Sequence, residues 1–84
     1  MNLYQFNTYS VAARLEIIWE HGSLLAYRCR RGYRIALYNL GSFFAEIWYN
    51  PENEYIALVR GFQSNKVLET YVPKIDLKRM LEEM

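Results

Sequence analysis

The chain is 84 residues long and carries a formal net charge of +1, with 52% hydrophobic and 17% aromatic residues. That length makes one domain spanning 1–84, since nothing would remain to build a second core. A single cysteine, Cys29, excludes an intramolecular disulfide, and the near-neutral charge argues against a dedicated nucleic-acid binder. No charged-then-apolar leader opens the chain and no apolar run approaches the ~20 residues that span a bilayer, so a soluble, cytoplasmic protein with no membrane partner is expected.

From the start of the chain, Asn2 followed three residues later by Gln5 has the pattern of a capping box, which makes NLYQFN a short helical turn. Ser10 is a second start signal. After it Val11, Leu15, Ile18 and Trp19 recur at helical spacing, while Arg14, Glu16 and Glu20 point elsewhere. The spacing predicts a helix over Ser10–His21, closed by Gly22 in the left-handed conformation that glycine accepts at a helix end.

From Leu24 the period changes to two. Leu25, Tyr27 and Cys29 alternate with Ala26, Arg28 and Arg30, and Tyr33, Ile35 and Leu37 alternate with Arg34, Ala36 and Tyr38. A third run carries Phe43, Ala45, Ile47 and Tyr49 against Phe44, Glu46 and Trp48, and a fourth, Tyr55–Phe62, is apolar until Arg60. The turn residues RRG, LGS and NPEN separate the runs. Short turns allow only antiparallel neighbours, because parallel strands need long crossovers. A four-stranded antiparallel meander is therefore predicted.

The first hairpin poses a choice of register. A two-residue loop, Arg31-Gly32, puts Arg28 and Arg30 on the face of Ile35 and Leu37. A three-residue loop, Arg30-Arg31-Gly32, aligns Cys29 with Tyr33, Tyr27 with Ile35 and Leu25 with Leu37, and gives Gly32 the positive φ of a bulge. The second is preferred, because the first would bury arginines without partners. Further on, Val67, Leu68, Tyr71 and Val72 suggest a short helix ended before Pro73, or an extension of the sheet. Asp76 can cap a last helix with Leu77, Met80, Leu81 and Met84 on one stripe. The fold class is α+β: an N-terminal helix, the meander, and short C-terminal helices packed on one face of the sheet.

The stretch YRCRRGYR concentrates Arg28, Arg30, Arg31 and Arg34. In the preferred register Arg30 and Arg31 sit at an exposed tip, and Arg28 and Arg34 project from the solvent face, shared with Tyr38, Phe44 and Trp48. Rings beside guanidinium groups serve protein contacts, where Tyr, Trp and Arg are favoured anchors. They also serve single-stranded nucleic acid, whose bases stack while cations hold phosphates. Equally, arginine stems can cover the rings of an ordinary solvated face. Glu46, alternating in step with Trp48, repels phosphate and suits a cross-strand arginine.

Catalytic groups are scarce. His21, the only histidine, stands at a helix C-terminus where the dipole favours a cation, and Cys29 reads as a small buried hydrophobe within a strand. One histidine and one cysteine fall short of a metal site, and no glycine-rich phosphate loop exists, so neither metal, cofactor nor enzymatic activity is expected.

The segment NLGSFFAEIWYNPENEYIALVRGFQS followed by YVPKIDL, together with LYQFN and WEHG near the N-terminus, resembles a family of short bacterial proteins of uncharacterised function. That resemblance implies no activity, cofactor or site residue. Eight tyrosines, four phenylalanines and two tryptophans exceed what one small core holds. The sequence therefore points to a non-enzymatic interaction module, a homo-oligomer or a binder of another protein through the sheet face or edge, with single-stranded nucleic acid as the alternative ligand.

Overall fold

A computed structural model describes residues 1–63 of the chain. The elements expected over 67–72 and after Asp76 lie outside the described residues. Asn2 caps α1 (Leu3–Thr8): its side chain accepts from the Gln5 N–H at 2.8 Å and the Gln5 side chain accepts from the Asn2 N–H at 3.2 Å. Ser10 caps α2 (Val11–His21) through the Ala13 N–H. Gly22 ends this helix in an extended conformation, φ −87°, and not in the left-handed one expected from its place after the last turn. Glycine is needed there for space, because a Cβ would stand 2.6 Å from the Ile18 carbonyl oxygen.

Among the described residues the sheet has four antiparallel strands in sequence order: β1 (Ser23–Arg30), β2 (Tyr33–Asn39), β3 (Phe44–Tyr49) and β4 (Ile56–Phe62). The α+β class and the meander are thus as the sequence predicts. The first register is not. Cys29 pairs with Arg34 and Tyr27 with Ala36, so the loop is the two-residue Arg31-Gly32. Both loop residues have positive φ, 51° and 84°, the form of hairpin turn whose twist matches that of its strands.

This one-residue slip exchanges the faces of β1 relative to β2. Arg28 lies in a row with Ile35, Trp48 and Leu58, next to a row of Ala26, Leu37, Glu46 and Arg60. The opposite face carries Cys29, Arg34 and Tyr49 in one row, Tyr27, Ala36, Ile47 and Val59 in the next, and Tyr38, Ala45 and Gly61 beyond. The expected solvent face of Arg28, Arg34, Tyr38, Phe44 and Trp48 therefore does not exist; Arg34 and Tyr38 lie on one side, Arg28, Phe44 and Trp48 on the other.

Helices α1 and α2 cover the second face over β3 and β4. Phe6 and Ile18 pack there with Phe43, Ala45, Ile47 and Val59, supported by Leu3, Leu15 and Leu40. Gly61 lets α1 press on β4, since a Cβ would come within 2.7 Å of Leu3 Cδ1 and 2.9 Å of Phe6 Cδ1. Arg14 ties the three elements together, donating to the carbonyls of Phe6, Asn7 and Val59 at 3.2, 2.6 and 2.7 Å. The Asn7 side chain accepts from the Gly61 N–H at 3.2 Å. The outer edge of β4 is thereby capped at Val59 and Gly61, where another strand would otherwise add.

Candidate interaction surface

The two faces of the sheet treat their charges differently. On the first, Glu46 is fully buried and Arg28 nearly so, with side-chain exposures of 0% and 10%. Glu46 Oε2 accepts from Arg28 Nε and Nη2 at 3.3 and 3.2 Å, and Oε1 accepts from Arg60 Nε at 2.8 Å and Trp48 Nε1 at 3.2 Å. Both guanidinium groups lie over the Trp48 ring, 5.4 and 5.8 Å from its centroid. The mixed face that sequence reasoning rejected is stable because the cross-strand carboxylate supplies the missing partner. Arg28 is thus buried in this network and Trp48 half-buried in it, so neither stands free on an open face. Among the described residues no buried side-chain nitrogen or oxygen lacks a hydrogen bond.

On the second face α1 and α2 stop short of the β1–β2 side. What they leave is a platform of tyrosines around one cation. Tyr27 is 54% exposed, Cys29 and Arg34 are exposed, and Tyr38 and Tyr49 are half-buried. A hydrogen bond with the Tyr49 side chain holds the Arg34 guanidinium above its ordinary range, helped by the nearby Tyr49, Cys29 and Tyr27. The Tyr38 phenol is raised by burial first and then by Tyr27 and Tyr49. The register puts Cys29, Arg34 and Tyr49 in one row, with Tyr27 and Tyr38 in the rows beyond on the same face. Cys29, expected within the core, faces solvent here because the slip carried it across the sheet.

Of the expected binding residues, Arg34 and Tyr38 belong to this platform. Arg30 and Arg31 are exposed at the adjoining hairpin tip, as expected of a loop. Sequence reasoning missed Tyr27, Cys29 and Tyr49 as neighbours of Arg34; only the correct register reveals them. It also missed Arg14, whose carbonyl partners lie up to 45 residues away.

His21 lies at the end of α2, its Nε2 3.8 Å from the Glu20 carboxylate, and lines a cleft of about 270 Å³ with Met1, Ile17, Leu40 and Phe43. Cys29 is six residues along β1 from Ser23, roughly 20 Å at the rise of an extended strand, so the two do not form a nucleophile–base pair. Among the described residues no group of three His, Cys, Asp or Glu side chains could hold a metal ion, and no helix is long and apolar enough to cross a membrane. No protein-family model, curated protein or solved structure matches the chain.

Proposed function

We propose that the chain is a non-enzymatic interaction module that meets another protein, or a second copy of itself, through the tyrosine-lined part of the sheet. The single observation that carries this reading is the pair Tyr27 and Tyr49 around exposed Arg34, bordered by half-buried Tyr38 where the sheet packs against the helix-covered core. Tyrosine supplies a large contact area at low entropy cost and arginine a planar donor, the pairing that dominates protein-binding anchors. A photo-reactive phenylalanine analogue in place of Tyr27 should cross-link to a protein, either this chain or a different one. The same group in place of Tyr4, exposed on α1, is the control. Cross-linking no greater at Tyr27 than at Tyr4 overturns the reading.

Single-stranded nucleic acid is the second reading, favoured by exposed Arg30, Arg31 and Arg34 beside those rings. It loses Arg28, which Glu46 holds inside, and Trp48 is half-buried against the same carboxylate. A labelled oligonucleotide that binds at low salt and is released steeply as salt rises would favour it over protein contact.

A further inference from the structure

The antiparallel order puts two turns at the same end of the sheet: Arg31-Gly32 between β1 and β2, and residues 51–54 between β3 and β4. The first tip is basic, with exposed Arg30 and Arg31; the second is acidic, with exposed Glu52 and Glu54. None of these four makes an ion pair among the described residues. The tips are two strand spacings apart, about 10 Å, and no salt bridge joins them within one chain among the described residues. Among the described residues, Arg31 and Glu54 are also the two non-glycine residues with positive φ, 51° and 62°. Glycine or asparagine takes that conformation with less strain, and Asn53 stands beside Glu54. A charge of opposite sign is thus kept at the strained position of each tip.

This pattern is its own complement under one symmetry. A two-fold axis along the sheet normal, placed beyond the turns, sets the basic tip of one copy against the acidic tip of the other, twice. A two-fold axis within the sheet plane would instead oppose like charges. We propose that two copies join end to end in this way, Arg30 and Arg31 of each meeting Glu52 and Glu54 of the other, with exposed Tyr55 and Pro51 packed beside the ion pairs. A second copy is the occupant because the four charges sum to zero and the two-fold arrangement sets each tip against its opposite. The contact goes beyond the platform reading, since it lies at the end of the sheet and leaves the tyrosine face open.

Sedimentation equilibrium of the whole chain tests it at low and high salt. The wild type should dimerise at low salt and weaken as salt rises, because pairs at exposed tips are screened over a Debye length of about 10 Å at 0.1 M. Arg31→Glu and Glu54→Arg should each weaken dimerisation at least about tenfold, since each opposes like charges. An equimolar mixture of the two variants, and the doubly reversed chain, should recover it, because every contact is again between opposite charges. Circular dichroism confirms that each variant is folded. Tyr4→Ser, exposed on α1 and away from both contacts, should leave the dimer unchanged. Three results overturn the proposal: a wild type monomeric to about 1 mM at low salt, reversals that change nothing, or a mixture that fails to recover. Dissociation by Tyr27→Ser alone would place the contact on the tyrosine face, ending this proposal while sustaining the platform reading.

Discussion

Glu46 decides the architecture of one whole face through a single side chain. A carboxylate with no exposure would be expelled from the sheet were it not for two guanidinium groups and an indole N–H aimed at its two oxygens. Such a network adds little stability relative to apolar residues of the same shape, but breaking it strands charge in a dry place. Glu46→Ala should therefore lower the unfolding free energy by roughly 3–5 kcal/mol, read from urea denaturation. Joint replacement of Arg28, Glu46 and Arg60 by methionine, leucine and methionine should recover most of that loss. An equal loss in the joint variant would mean that packing volume, not stranded charge, governs the site. The pairing of Glu46 with a cross-strand arginine was legible in the sequence from alternation alone. The face it occupies was not, because a shift of one residue moves every side chain of a strand across the sheet and the two candidate loops differ by one residue. The argument that arginine avoids the interior fails where a carboxylate arrives from a strand two places away.

At the scale of elements, six residues are too few for α1 to hold as an isolated helix, so its position must come from tertiary contacts. Phe6 supplies the apolar anchor, and Arg14 the polar one, with three carbonyls on two other segments satisfied by one guanidinium. Helix boundaries and strands were readable because capping residues and a change of period from 3.6 to 2 are local signals. Arg14 gave no such signal; on α2 it reads only as a residue off the apolar stripe, and its partners are set by the packing angle of α2 on β4. Gly22 was readable as a helix end but for the wrong reason, since its neighbour Ile18 and not a left-handed turn excludes a side chain. Arg14→Lys keeps the charge but cannot reach three carbonyls from one planar group. It should cost about 2–3 kcal/mol and speed amide exchange in Leu3–Thr8 more than in β2. Uniform exchange throughout the chain would show that α1 does not depend on this clamp.

Across the whole molecule, the slip in the first hairpin sorts the arginines into two populations, one spent on internal structure and one presented to solvent. Arg28 and Arg60 serve the sheet; Arg30, Arg31 and Arg34 line its tip and its open platform. Cys29 sits on the open side beside Arg34 and so reports on that division without altering it. A bulky, uncharged maleimide should react with Cys29 in the native chain at a rate close to that in denaturant, because no backbone opening is needed to reach the thiol. The adduct should shift the thermal midpoint by no more than about 4 °C, the effect of a surface change of roughly 0.5 kcal/mol in a domain of this size. It should nonetheless abolish Tyr27-centred cross-linking, since the added group sits on the same strand and face as Tyr27 and beside Arg34. A thiol that reacts only after unfolding would mean the platform is closed, and both the partner contact and the sorting of charges behind it would have to be abandoned.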